Sequence, residues 1–243
     1  MKKNTKTVDL MAGIDLDAIV KVALKDAHQK ITGESIELAE AYVALPKPFR
    51  QATDFVSQDT KSAHEELYKN EIEQLNSVSA QIDAVDLTTP AGRLKYSGLK
   101  QEETYLSNAV SLHEMFFSNC FDQNSELFQD MLSYIRLQAD WGDFNRWQMD
   151  FQNVAMTGRG NGWVVCGYSL YHKRYMNTFV TGHSSDTMIG YIPVLVVDVH
   201  EHAYNRDYLN DKKSYVVAMM REIAWDLVEE RFKKVDALTK VMK

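Results

Sequence analysis

Cysteine is scarce in this sequence, with only Cys120 and Cys166 among its 243 residues. Two thiols at that separation match neither a disulfide framework nor a zinc-binding pattern, so we expect two reduced cysteines in the core. Proline is also rare, with four residues in the chain. Two of them, Pro46 and Pro48, interrupt the chain ahead of its longest helical patterns.

Long apolar runs are missing as well. No stretch reaches the length of a membrane span, and the basic N-terminal residues are not followed by the apolar core of a signal peptide. We therefore expect a soluble, cytoplasmic protein without a membrane partner. Basic residues are outnumbered, because 27 Lys and Arg against 34 Asp and Glu give a net charge of −7. This balance argues against nucleic acid as the partner, although a local basic funnel could still steer a small anionic substrate.

The order of the periodic patterns predicts an α+β fold. Residues 1–42 form an N-terminal extension with helical spacing and no assigned role. Two long helical patterns follow, one from Ser57 to about residue 85 and one after a turn at Thr88, Thr89 and Pro90. The short turn between them predicts an antiparallel helical hairpin domain over residues 43–135. The expected core positions are Leu67, Ile72, Leu75, Val78 and Ile82 in the first helix, and Leu94, Leu99, Leu106, Val110, Met115 and Phe116 or Phe117 in the second.

The rest of the chain, residues 136–243, predicts an α/β domain with a small antiparallel sheet of about three strands flanked by helices. Residues 125–157 are typical of two helices that separate near Trp141 and Gly142. The period then changes, and strands are predicted over 163–170, 175–180 and 192–197. Helix returns over 205–240.

The segment Asp198-Val-His-Glu-His-Ala-Tyr204 carries the strongest chemical signal. Asp198 and His202 are four residues apart, so one helical turn lets both side chains reach a single point. His64 and His113 lie on the two hairpin helices and could face each other across the seam. Three imidazoles and one carboxylate suit iron, manganese or zinc. Spacing alone does not show that the four converge, and a single histidine is more often an ordinary surface or core residue.

The chain resembles the iron/manganese superoxide dismutases. Residues Asp198–Tyr204 are similar to the family signature D-V-W-E-H-A-Y, with His200 in the tryptophan position. The resemblance covers roughly residues 43–235. Three further segments agree in order and spacing: Ala44–Phe49 with Ser57–Thr60 ahead of His64, Leu112–Asn119 around His113, and Gly160–Val165 around Trp163. Residues Asn210–Phe232 are similar to the family's C-terminal helices.

The resemblance implies a chain that acts on superoxide. It implies one iron or manganese ion held by His64, His113, Asp198 and His202, with a water or hydroxide as fifth ligand. His183 falls where many members carry a glutamine that hydrogen-bonds to this solvent, and so it is the expected catalytic residue. Some iron-using members have histidine there, which favours iron slightly over manganese. Without that role His183 would be a solvated loop residue.

The resemblance also implies an oligomer. Glu201 matches the family glutamate that reaches across a dimer interface to the partner's ligand histidine, which is His202 here. A buried charge of this kind is tolerated only when it is paired. We therefore expect a homodimer or homotetramer in which each site lies near a twofold interface.

Several residues around the expected site depart from the family pattern. Counting from His64, the family has histidine four residues on and tyrosine eight residues on, whereas this chain has Tyr68 and Ile72. Isoleucine cannot supply the hydroxyl that lines the family's substrate channel, and Tyr68 is one candidate to replace it from a turn away. The final tyrosine pair of the signature is reduced to Tyr204-Asn205, and His200 replaces a tryptophan that walls the metal pocket.

Two functions from different classes remain open at this point. The four intact ligands favour an active dismutase with altered surroundings, because burying four metal-binding side chains is costly for a fold kept only as a scaffold. The altered channel residues and the extension favour a superoxide dismutase-like structural or interaction protein with little or no activity. A different metal-dependent redox reaction on the same scaffold is a third possibility.

Overall fold

Two long helices dominate the first half of the structure, a computed structural model that describes residues 43–241. Helix α1, Gln58–Asp83, begins after Ser57, whose side-chain oxygen accepts a hydrogen bond from the Thr60 N–H. Helix α2, Pro90–Cys120, begins after Thr89, which caps it in the same way. The two helices pack against each other, which confirms the predicted hairpin. The predicted extension, residues 1–42, lies outside the described residues.

One predicted core position of α2 is wrong. Leu94 is 78% exposed, whereas Leu106 and Val110 farther along the same helix are buried. Leu94 lies five residues before Leu99, and at about 100° per residue that spacing places it roughly 140° around the helix from the face that packs on α1. The apolar stripe of α2 therefore starts at Leu99.

Two shorter helices lead from the hairpin to the sheet. Helix α3, Leu132–Trp141, ends at Gly142, whose φ of 79° is a left-handed conformation that glycine adopts without strain. Helix α4, Phe144–Thr157, starts immediately afterwards. The break falls where the sequence predicted it, although residues 125–131, predicted as helix, precede α3 without helical structure. The predicted domain division at residue 135 falls inside α3 and stays a prediction.

Three antiparallel strands form the sheet in the order β2-β1-β3. The central strand β1 is Gly162–Ser169, and its neighbours are β2, Arg174–Thr181, and β3, Tyr191–Asp198. In the register of the central strand, Trp163 lies between Val180 and Asp198. The sheet and its flanking helices confirm the predicted α+β class, and the register places Trp163 beside the end of β3.

The chain returns to helix earlier than predicted and in three pieces. These are α5, Glu201–Tyr208, α6, Lys212–Met219, and α7, Trp225–Val241. Asp211 accepts a hydrogen bond from the Ser214 N–H and so caps α6. Among the described helices, none is both long enough and apolar enough to cross a membrane.

Both cysteines lie in the core as free thiols, as the sequence predicted. Burial raises the pKa of Cys166 to about 12, and it raises the pKa of Cys120 as well. Both thiols are therefore protonated at neutral pH and act as small apolar side chains.

A buried polar cluster ties helix α2 to the sheet. Asn119, which is fully buried, donates a hydrogen bond to the Val196 carbonyl over 2.9 Å. Arg231 of α7 donates to the Asn119 amide oxygen and, over 3.1 Å, to the Val194 carbonyl. Burial lowers the pKa of Arg231 to about 10, so its guanidinium stays charged at neutral pH. The cluster fixes the helix that carries His113 against the strand that ends at Asp198.

We expect Asn119→Leu to lower the free energy of unfolding by about 3 kcal/mol, because the buried Val196 carbonyl loses this donor and the Arg231 guanidinium loses one of its acceptors. Urea denaturation of the purified variant measures this change. Asn153→Leu on the exposed face of α4 is the matched control and should stay within about 0.5 kcal/mol of the wild type. Equal stabilities for the two variants would contradict the role of the cluster.

Candidate metal centre

Four side chains from four different elements meet at one point. They are His64 on α1, His113 on α2, Asp198 at the end of β3, and His202 on α5, and one potential ligand atom from each lies within 4.8 Å of the others. Asp198 Oδ2 is at the middle of the group. It lies 3.1 Å from His64 Nε2, 3.0 Å from His202 Nε2 and 3.9 Å from His113 Nε2.

The fold brings these residues together in two ways. Asp198 and His202 are local neighbours, because α5 begins three residues after β3 ends. His64 and His113 come from the hairpin, where their rings meet edge to face with 5.0 Å between centres. Phe116 and Phe117 pack on the His64 ring at 5.5 and 5.0 Å, so aromatic side chains wall this side of the group.

Burial sets the charge of the group. It lowers the pKa of His64 to about 3, and the nearby Asp198 carboxylate does not offset this effect. Burial would raise the pKa of Asp198, but the neighbouring histidines His202 and His200 and their hydrogen bonds hold it well below its usual value. His202 differs, because the charge of Asp198 and its hydrogen bond outweigh burial and raise its pKa. An ionised carboxylate therefore faces a neutral His64 at neutral pH.

The donor atoms fit a bound metal ion. His64 Nε2 and His113 Nε2 are buried and make no hydrogen bond within residues 43–241, although both face Asp198. His113 Nδ1 lies 2.9 Å from the Ala109 carbonyl, which can only accept, so Nδ1 carries the proton and Nε2 keeps its lone pair. A cation between these atoms would satisfy the unpartnered nitrogens. Three nitrogens and one carboxylate oxygen suit iron, manganese or zinc.

His183 lies beside this group rather than in solvent. It follows β2 in a turn, is 6% exposed, and its Nδ1 lies 3.1 Å from the Trp163 indole nitrogen. An indole N–H only donates, so Nδ1 is the acceptor, and the neutral ring carries its proton on Nε2. Burial lowers the pKa of His183 to about 4, which keeps it neutral at physiological pH. The alternative of a solvated loop residue is wrong.

His200 holds the carboxylate of Asp198. Its ring nitrogen Nδ1 lies 2.6 Å from Asp198 Oδ1, and its backbone N–H donates to the same oxygen over 2.7 Å. Both bonds go to Oδ1, which leaves Oδ2 facing the histidines His64, His113 and His202. The His200 ring also stacks between His183 and His202, at 5.2 and 5.0 Å. It therefore does more than fill the space of a tryptophan.

Tyr68, the candidate to replace the missing channel hydroxyl, forms its hydrogen bonds with other residues. The Tyr68 ring lies 6.4 Å from the His113 ring, but its hydroxyl donates to Glu114 over 2.9 Å and accepts from the Lys47 N–H over 3.1 Å. Ile72 is buried in the hydrophobic core. Neither residue supplies a hydroxyl to His183.

Two tyrosines support the backbone of the site. Tyr215 is fully buried and donates from its hydroxyl to the Asp198 carbonyl over 2.8 Å. Tyr204 stacks on the Tyr215 ring, with 5.2 Å between centres. The last residue of the signature therefore packs against the tyrosine that binds the Asp198 carbonyl.

One side of the group opens to the surface. A depression of about 390 Å³ reaches His64 and His202, and Glu201 lies on its wall. The His202 side chain is 34% exposed, whereas those of His64, His113 and Asp198 are fully buried. Glu201 is exposed at the start of α5.

Sequence reasoning missed Glu71. Its side chain is 9% exposed, with Oε2 at 2.8 Å from His113 Nδ1 and Oε1 at 3.6 Å from His183 Nε2. Helical periodicity could have found it, because Glu71 lies seven residues after His64 and so on the same face two turns along α1. The comparison of positions four and eight after His64 passed over it.

Comparison with known proteins gives a consistent result. Residues 131–231 match the family model for the C-terminal domain of iron/manganese superoxide dismutases. A relative named superoxide dismutase [Fe], from Cupriavidus metallidurans, is 33% identical over 172 residues, which cover 70% of this chain and 85% of that protein.

More distant relatives carry either metal in their names. Superoxide dismutase [Fe] from Aquifex pyrophilus is 31% identical over 140 residues, covering 58% of this chain and 64% of that protein. Superoxide dismutase [Mn] 1 from Halobacterium salinarum is 28% identical over 138 residues, covering 57% and 68%.

The lowered pKa of His183 predicts a pH-dependent stability for the metal-free protein. A histidine with an ordinary pKa of 6.5 in the unfolded chain and about 4 in the folded one binds its proton first when unfolded, so folding stability falls as the pH drops from 6.5 towards 4. We expect His183→Gln to flatten this loss by up to about 1.4 kcal/mol per pH unit. Urea denaturation of metal-free protein between these pH values measures it.

The control for this experiment is His172→Gln, which removes an exposed histidine and should follow the wild type. A His183→Gln variant whose stability falls as steeply as that of the wild type would show that His183 is solvated and titrates normally in the folded protein.

Proposed function

The chain belongs to the iron/manganese superoxide dismutase family, and on that premise we propose that it is a superoxide dismutase with His64, His113, Asp198 and His202 as its metal ligands. The observation that carries the proposal is the meeting of these four donor groups within 4.8 Å, with buried histidine nitrogens that have no hydrogen-bond partner in the part of the chain that the structure describes. Relatives named superoxide dismutase support it over the alternative of a scaffold without activity.

A bound iron or manganese ion supplies one-electron chemistry, in which one superoxide is oxidised to oxygen and a second, with two protons, is reduced to hydrogen peroxide. The chain contributes one carboxylate and three imidazoles, a set with a formal charge of −1 when the imidazoles are neutral. His200 keeps Asp198 Oδ2 directed at the histidines by holding Oδ1. The phenylalanines around His64 exclude water from the inner side of the ligands.

His183 is the proposed catalytic residue beside the ion. Trp163 fixes its tautomer, so that a hydrogen-bond donor, Nε2–H, is available on the side away from the indole. We propose iron in preference to manganese, since the family resemblance associates histidine at this position with iron-using members.

We also propose a homodimer, or a homotetramer built from such dimers. His202 is the one proposed ligand that is partly exposed, and it borders a depression with Glu201 on the wall. A second copy placed over this depression would bury His202 and could pair its own Glu201 with the exposed edge of the ring. A site of this kind would be complete only in the oligomer.

Removing one ligand tests the activity. We expect His113→Ala to lose metal and to lower the dismutation rate on the order of 100-fold or more, because a ligand contributes at least as much as its hydrogen-bonding partners. Wild type and variant are reconstituted separately with iron and with manganese, metal content is measured, and rates are determined from superoxide decay. The iron-loaded wild type should be the more active form.

The matched control is His172→Ala, an exposed histidine that should keep the wild-type rate. Equal rates for wild type and His113→Ala would refute the dismutase proposal and favour the scaffold function. A manganese-loaded protein faster than the iron-loaded one would refute the iron preference alone.

Glu201 provides the test of the oligomer. We expect Glu201→Ala to weaken self-association by about 2 kcal/mol or more, since removing one partner of a buried charged pair leaves the other unpaired. Analytical ultracentrifugation over a dilution series measures the dissociation constant, with Glu230→Ala on the exposed face of α7 as the control. Unchanged association of Glu201→Ala would contradict the proposed interface.

A further inference from the structure

Glu71 is a buried carboxylate that does not belong to the proposed ligand set. It lies on α1 with 7% of its surface exposed. Taking an ionised carboxylate out of water costs several kcal/mol unless nearby charges or hydrogen bonds compensate it. Its surroundings within the described residues are therefore informative.

The hydrogen bonds of Glu71 are incomplete. Oε2 lies 2.8 Å from His113 Nδ1, but this nitrogen has one proton and already bonds to the Ala109 carbonyl at 2.9 Å, so Oε2 is left without a hydrogen bond. Contact with a neutral ring is poor compensation for a buried negative charge. A ring made electropositive by a metal on its other nitrogen is much better compensation.

The other oxygen faces a second histidine. Oε1 lies 3.6 Å from His183 Nε2, which carries the ring proton because Trp163 donates to Nδ1. The distance is beyond a direct hydrogen bond, so this approach is weaker than the contact with His113. The stronger link of Glu71 to the site therefore runs through His113.

We propose that Glu71 is a positioning residue that sets the reduction potential of the metal through His113. Its carboxylate lies against the Nδ1 side of the His113 ring without a hydrogen bond to it, and the negative charge at this contact would strengthen His113 as a donor and stabilise the more oxidised ion. The inference rests on the proposed metal site, but it requires only metal binding and no dismutase activity.

The test is a redox titration of the iron-loaded protein in the presence of mediators. The absorption of the trivalent form measures the fraction of oxidised metal at each potential. Glu71→Gln keeps the shape of the side chain and removes its charge. At a fixed solution potential we expect the ratio of reduced to oxidised metal to rise about tenfold or more, as for loss of one charge near a partly buried ion. Glu71→Asp keeps the charge but withdraws it by one methylene, and it should shift the ratio less in the same direction.

The matched control is Glu73→Gln, which neutralises an exposed glutamate on the same helix and should leave the ratio unchanged. The shift caused by Glu71→Gln should also persist in a His183→Gln background, because the close contact is with His113. A shift that disappears in that background would overturn the route through His113.

Metal content and circular dichroism of each variant separate this inference from the proposed function. A Glu71→Gln protein that holds iron at the wild-type potential would overturn the inference and leave the dismutase proposal intact. If Glu71→Gln does not retain iron, the titration of Glu71→Asp decides, and an unshifted potential there overturns the inference. A wild type that binds no metal would overturn both.

Discussion

The buried carboxylate of Asp198 is the interaction on which the rest of this structure depends. Its side chain is fully buried, and an ion in that position is stable only if every lone pair finds a partner. The chain meets this need with His200, which binds Oδ1, and with the proposed ligand histidines, which surround Oδ2. Tyr215 binds the main-chain carbonyl of the same residue, so the end of β3, the start of α5 and helix α6 are linked at Asp198.

The helical hairpin has a different task, which is to deliver buried imidazoles to the centre. His64 and His113 come from helices packed with phenylalanine, and burial lowers the pKa of His64 to about 3. A protonated imidazole cannot bind a metal. The aromatic packing that stabilises the hairpin thus also prepares two of the proposed ligands, so the core and the site share the same residues.

Sequence reasoning reached the parts of this structure that depend on local spacing. The spacing of Asp198 and His202, the break at Gly142 and the three strands follow from short-range rules, and the structure has them. The expectation that His64 and His113 converge with Asp198 rested on the family resemblance. Contacts between side chains on different helices leave no local pattern in the sequence. Glu71 was missed because a glutamate on a polar helix is ordinarily solvated, and only the position of α2 buries it.

Three buried ionisable side chains surround the proposed ligands, and they are Glu71, His183 and His200. Ionisable groups are costly to bury, so side chains of this kind persist in a core only where something offsets their desolvation. His183 and His200 each have a hydrogen-bonding partner among the described residues, whereas Glu71 Oε2 has none. A cation held by His113 would supply the compensation that residues 43–241 do not provide.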